Sequence, residues 1–208
     1  MRRWRRNAGA YAAYAAALTL LFAVVYGATN WISQQRSETY RVFTDWELTL
    51  PFVPQLVFVY FSIFFVFWLP LFTVERHEVR PLAGAFALAT SIAGVCFLLF
   101  PTRLGFVRPS LVPGYEPIFS TLYAIDLPYN TLPSLHVAYS TLAMLTFVSA
   151  VDDRLTRVAL TLWLAAMVAS VVLIHQHHIA DVVAGLVLGL VCYRVFVYWA
   201  AKRAVTQA

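Results

Sequence analysis

The sequence predicts an all-α polytopic membrane protein, with six transmembrane helices in one bundle and both termini cytoplasmic. Three observations predict it. Of 208 residues, 61% are hydrophobic and 12% charged, and the mean hydropathy is +0.72; a soluble domain is about 45–50% apolar and about 25% charged. The apolar residues gather into six runs, over residues 8–29, 55–74, 82–101, 134–151, 158–175 and 179–200, each close to the roughly 20 residues that cross a bilayer as a helix. The cations are distributed unevenly between the loops. Together these features exclude a disordered chain, a collagen-like fibre and a soluble enzyme. A transmembrane barrel is also excluded, since it needs alternating segments of about ten residues.

The first run follows Met1-Arg2-Arg3-Trp4-Arg5-Arg6. That start resembles the charged end of a signal peptide, but the apolar stretch exceeds the roughly 7–15 residues expected there, so a retained span is expected. Loop 30–54 carries Tyr40, Phe43, Trp46 and Phe52 among its charges, which suits a short interfacial helix. The second and third spans are joined by the charged loop 75–81. Loop 102–133 is rich in Pro and Gly and long enough to be functional. The fourth and fifth spans are joined at 152–157, and the fifth and sixth by a tight turn around His175 to His178. Gly185 and Gly189 give the sixth helix a small-xxx-small face for close packing. Cys96 and Cys192 both lie inside apolar runs and make no disulfide framework. No internal repeat is visible, so residues 1–208 form one domain.

Of the 15 basic residues, 14 are arginine. With the N-terminus inside, Arg2, Arg3, Arg5, Arg6, Arg76, Arg80, Arg154, Arg157, Arg194, Lys202 and Arg203 are cytoplasmic. Arg36, Arg41, Arg103 and Arg108 are outside. The positive-inside rule supports that orientation. The excess of cations is read as topology and contact with membrane lipids, not as nucleic-acid binding.

Three polar clusters fall at the outer ends of spans, where ionisable groups are costly and usually functional. Pro133-Ser134-Leu135-His136 opens the fourth span, and places Ser134 and His136 at a helix N-terminus suited to an anion. His175-Gln176-His177-His178-Ile179-Ala180-Asp181 joins the fifth and sixth. His177 and Asp181 are four apart, on one helical face, so the carboxylate can orient the ring. His178 is rotated about 100° away and should face a neighbouring helix or the interface. Arg103 and Arg108 follow the third span, and arginine suits bidentate phosphate recognition. Taken singly, each cluster has an ordinary reading: a capped helix, a polar turn or zinc site, a solvated loop. Topology places all three at one depth, and two His, an Asp and two Arg at one membrane face point to phosphoryl transfer.

The clusters resemble those of the type 2 phosphatidic acid phosphatase superfamily of membrane lipid phosphatases and phosphotransferases. That family carries Lys, six residues, Arg-Pro; then Pro-Ser-Gly-His; then Ser-Arg, five residues, His, three residues, Asp. Pro133-Ser134-Leu135-His136 matches the second block, with Leu135 for Gly. Ser170, His177 and Asp181 match the third, with Val171 for Arg. For the first block Arg80-Pro81 lies on the wrong side of the membrane. Arg108-Pro109 lies on the right side, with Pro101 where Lys is expected and Arg103 as its substitute. The run from Pro133 to Ala138, with Asp126-Leu127-Pro128-Tyr129-Asn130 upstream, looks like the branch containing inositolphosphorylceramide synthases and their bacterial relatives.

The resemblance implies a metal-independent, cofactor-free enzyme acting on a lipid phosphate or diphosphate, with polyprenyl diphosphate, phosphatidate and phosphatidylglycerol phosphate as typical family substrates. His177 would be the nucleophile, forming a phosphohistidine, with Asp181 orienting it and His136 as general acid and then base. Arg103, Arg108 and Ser134 would hold the phosphate, with His175, if protonated, partly replacing the missing Arg. Headgroup transfer between lipids is the alternative to hydrolysis, and a proton-coupled transporter the alternative of another class. The expected location is a bacterial inner (plasma) membrane, with the site facing the periplasm or exterior.

Overall fold

A computed structural model describes residues 3–207. The side chains of Arg2, Arg3, Arg5, Arg6 and Arg203, counted above for topology, lie outside the described residues. The chain begins with α1 (Arg3–Gln34). A 3₁₀ turn (Asp45–Thr49) stands in the first outer loop where an interfacial helix is expected. The second span is broken into α2 (Val57–Phe61), α3 (Ile63–Val66) and α4 (Pro70–Thr73). Next come α5 (Arg76–Leu99), the short α6 (Glu116–Ile125) inside the second outer loop, α7 (Leu135–Ala150), α8 (Arg154–Leu173) and α9 (Ile179–Gln207).

Five helical segments are long and apolar enough to cross a membrane, and α7 is a shorter apolar sixth. At 1.5 Å per residue α7 spans about 24 Å, less than the ~30 Å hydrocarbon core. Its start is set by Ser134, whose Oγ accepts from Val137 N at 3.4 Å, and α8 is capped by Asp153, which accepts from Thr156 N at 2.7 Å. The breaks in the second span have local causes. Pro70 has no N–H to give. Ser62 bonds back to Val59 O at 2.6 Å and accepts from Trp163 Nε1 of α8 at 2.8 Å.

α1 packs on α5, α5 on α9, and α9 on α7, which also meets α8. The α7–α9 contact is the closest kind. A Cβ on Gly185 would sit 2.6 Å from Ser134 O, and one on Gly189 would sit 2.6 Å from Ala138 O. The small face read from the sequence thus presses α9 against the first turns of α7. One apolar cluster runs down α5, α7 and α9 (Ala85, Ala89, Leu142, Cys192, Phe196). A second joins the broken span, α6 and α8 (Val57, Ile63, Phe119, Met167, Ile174). The outer ends of α7 and α9 meet between them.

Candidate active site

The outer loops are knit to the helix ends by backbone bonds, among them Tyr40 N to Pro101 O at 2.7 Å and Leu104 N to Pro128 O at 3.0 Å. Just past α5, the buried Thr102 hydroxyl accepts from Thr131 N and Leu132 N, both at 3.2 Å. From the end of α1, Thr29 Oγ1 accepts from Asn130 Nδ2 at 2.7 Å, and Ser33 donates to Asn130 Oδ1 at 3.2 Å. The segment before α7 is therefore fixed from both sides. It delivers the carbonyl of Thr131 to Nδ1 of His177, 3.1 Å away.

A carbonyl only accepts, so His177 carries its proton on Nδ1 and its Nε2 lone pair is free. Asp181 Oδ2 lies 3.5 Å from the same Nδ1. It is also engaged at 2.8 Å by the backbone N–H of His178, the reach-back of a capping box on α9. Asp181 is 0% exposed, its Oδ1 meets no partner, and its carbonyl accepts from Ser134 N at 3.0 Å. Thus α9's first turn is bonded directly to the start of α7, which carries His136.

His136 stacks on Tyr60 with ring centroids 4.0 Å apart, and its Nδ1 lies 3.2 Å from the Tyr60 hydroxyl. Tyr60 donates to Asp126 Oδ2 at 3.2 Å, and Tyr26 donates to Oδ1 of the same carboxylate. With its one proton given to Asp126, the Tyr60 oxygen can only accept from His136. That places the His136 proton on Nδ1 and frees Nε2, as in His177.

His136 and His177 line one cavity of about 510 Å3, together with Tyr26, Tyr60, Asp126 and Asn130. They are the two of the seven expected site residues that do so. Asp181 and Ser134 stand directly behind them. Arg108 is placed between two loops: it donates to Asp126 O at 2.6 Å and Gln176 Oε1 at 2.8 Å, and sits 4.8 Å above the Tyr123 ring. Its buried Nε has no partner.

Two expected phosphate ligands stand away from the cavity. Arg103 is exposed, with its guanidinium 5.9 Å from the Tyr129 ring, and its backbone pairs with Tyr129. His175 stacks flat on Phe106 at 4.0 Å and bonds Leu50 O at 3.1 Å. Burial lowers its pKa against that hydrogen bond, which disfavours the positive charge expected of it in place of the missing arginine. His178, expected to face a neighbouring helix or the interface, packs against loop aromatics instead. It is fully buried between the Phe43 and Phe106 rings, and accepts from Gly105 N at 2.9 Å. Burial lowers its pKa too, against the nearby Asp181 and Glu47 carboxylates. His175 and His178 both stack on Phe106 while His177 lines the cavity, and among the described residues no group of three His, Cys, Asp or Glu could hold a metal ion.

Glu47 is a residue that sequence reading missed. It reaches from the 3₁₀ turn to accept from Ile179 N at 2.8 Å, at the start of α9, and it also takes Thr44 N at 2.9 Å. Burial raises its pKa, but these bonds outweigh that and hold it below the usual value. Tyr60 was hidden in an aromatic run, and Thr131 acts through its backbone. Asp126 had one signal: it opens the Asp-Leu-Pro-Tyr-Asn run before the fourth span.

The family model described as PAP2 superfamily matches residues 78–204. No curated protein and no solved structure matches the chain significantly. The matched span holds all seven expected site residues. It leaves out α1 and the broken span, which supply Tyr26 and Tyr60.

Proposed function

The chain belongs to the PAP2 superfamily, and from that premise we propose that it is a lipid-phosphate phosphatase or phosphotransferase working through a phosphohistidine on His177. Members of the family are phosphatases or phosphotransferases, so the chain is an enzyme of phosphate esters; its long apolar helices make it an integral membrane protein. The observation that carries the finer reading is the matched pair of imidazoles. His136 and His177 line one cavity, and each has Nδ1 held by an acceptor behind it.

In the first half-reaction the Nε2 lone pair of His177 forms a bond to phosphorus as the ester P–O bond breaks. His136, once its free Nε2 has taken a second proton from solvent, gives that proton to the leaving oxygen. In the second half, neutral His136 takes a proton from water or an acceptor hydroxyl, whose oxygen bonds to phosphorus as the P–N bond breaks. Both imidazoles return to their starting states. Asp181 and the Thr131 carbonyl stabilise the charged His177 ring. The Tyr60–Asp126 pair does the same for His136. Arg108, with its unpartnered Nε, Ser134 and the first turn of α7 supply the positive potential for the phosphate oxygens. The arginine asymmetry supports a site facing the periplasm or exterior.

The test is incubation of purified protein with a panel of lipid phosphates in EDTA, with and without an alcohol acceptor, read by mass spectrometry. Conversion in EDTA is expected. Inorganic phosphate release marks water as acceptor, and a new phosphodiester marks an alcohol. Activity lost in EDTA and restored by zinc or magnesium would overturn the metal-independent mechanism.

A further inference from the structure

A second groove runs along a neighbouring face of α1, where α1, α5 and α9 meet. Its apolar floor includes Ala17 and Leu21 of α1 with Gly84 and Ala87 of α5. The members of each pair are three or four residues apart, so each pair forms a stripe along its helix. The missing side chain at Gly84 makes room for the Trp199 ring of α9, since a Cβ there would lie 2.9 Å from Trp199 Cζ3. Trp199 is 36% exposed, so the ring seats on α5 and still reaches the surface. Two exposed cations complete the lining: Arg80, one turn before Gly84, and Lys202, one turn after Trp199. Of the described lining residues none is acidic, and none of His136, His177, Tyr60 and Asp126 is among them. Arg80 stands nineteen residues before Leu99, the last residue of α5. That is about 28 Å along the axis, close to the ~30 Å hydrocarbon core. The basic end of the groove therefore sits at the membrane face opposite the histidines.

These parts match a membrane lipid at its own depth. Arginine donates in pairs to phosphate oxygens, and lysine adds a point charge. The amphipathic ring of tryptophan settles at headgroup level. From Arg80 to Ala87 the floor runs about 10 Å into the bilayer, enough for the upper part of an acyl chain. Two like charges that share an apolar groove repel each other, and an anion between them relieves that repulsion. A zwitterionic lipid brings its own cation beside the phosphate and gains less. We propose that this groove binds an anionic phospholipid of the leaflet opposite the catalytic cavity, with its phosphate between Arg80 and Lys202 and one acyl chain on the floor between α1 and α5. The lipid is a ligand and undergoes no reaction. It ties α1, which the family match leaves out, to α5 and α9, which that match includes. The same α1 supplies Tyr26 to the catalytic cavity.

The test is native mass spectrometry of the full-length protein in a nonionic detergent. The protein is titrated with dioleoyl phosphatidylglycerol, with phosphatidylcholine of the same chains, and with glycerol 3-phosphate, which carries the anion without the chains. Phosphatidylglycerol should bind about tenfold more tightly than phosphatidylcholine. Arg80→Gln and Lys202→Gln should each weaken it about fivefold, and the double variant about twenty-fivefold. Ala17→Trp fills the floor from an exposed position and should also weaken it. Arg154→Gln removes an exposed cation at the same end of the bundle but outside the groove, and should leave the affinity unchanged. Equal affinity for the two lipids overturns the site. So does binding that the double variant leaves intact, which would place the lipid in the catalytic cavity. Equal weakening by Arg154→Gln would mark diffuse surface charge and overturns it too. Displacement of the lipid by glycerol 3-phosphate at equal concentration would make the groove a site for free phosphate esters, against the proposal. A dimer that forms without lipid and is dissociated by Ala17→Trp would make it an interface between two copies, also against the proposal. None of these outcomes touches the phosphoryl-transfer reading, which is tested by substrate conversion.

Discussion

In the proposed reaction His136 and His177 do comparable jobs with different supports, and that difference sets the expected mutational costs. Removing the His177 ring removes the proposed nucleophile, so His177→Ala should reduce turnover to background, a loss of several kcal/mol of barrier lowering. Asp181→Asn should cost less, because the Thr131 carbonyl, 3.1 Å from Nδ1, still fixes the tautomer; a loss as complete as that of His177→Ala would assign the orientation to Asp181 alone. Tyr60→Phe removes the acceptor for His136 Nδ1 and should lower kcat by about ten- to a hundredfold with little change in KM, the signature of a group that acts through the general acid. Equal damage to KM would make Tyr60 a packing residue. The histidines and Asp181 were legible in the sequence because charged groups near span ends stand out against 61% hydrophobic residues. Tyr60 and Thr131 were not. One is a tyrosine among aromatics and the other contributes a carbonyl, and neither has a sequence signal.

The elements that bring these residues together are α7 and α9, through Gly185 and Gly189. Gly189→Leu would drive its side chain into Ala138 O and Thr141 Cβ, both 2.6 Å from the new Cβ. It should destabilise by about 1–3 kcal/mol, seen as a lower thermal midpoint in detergent together with lower activity. Gly27 has nothing within 4 Å, so Gly27→Ala should stabilise by about 0.5–1 kcal/mol; destabilisation there would mean that α1 is held by contacts at Gly27. The outer cap should depend on pH. His175 and His178 are held below their ordinary pKa, chiefly by burial, so their stabilisation is full above about pH 6.5 and is lost as pH falls toward the lowered values. Glu47, also held low, adds a second loss at more acidic pH. Proteolysis of loop 35–53 should therefore accelerate below about pH 6, and no change down to pH 4 would contradict the cap. The broken second span was not legible: a run apolar on all sides carries no period to report a break. Pro70 and Ser62 act through backbone bonds that sequence alone does not count. The helix α6 was hidden by the Pro- and Gly-rich loop around it.

Across the whole molecule, the six helical segments and their order were readable because a bilayer imposes one length scale on every span. The cavity was not readable, since its walls come from α1, the broken span, α5, α6 and α7 at once. The same assembly determines which histidines reach a shared cavity. His136 and His177 face one shared cavity, whereas His175 and His178 are locked among aromatic rings. The central claim is therefore that phosphate passes through His177 alone. The most direct measurement is acid-labile phosphate trapped on the protein after rapid quenching of a radiolabelled substrate. The account predicts label on wild type and on His178→Ala, and none on His177→Ala. Label that persists in His177→Ala and disappears in His178→Ala would contradict it.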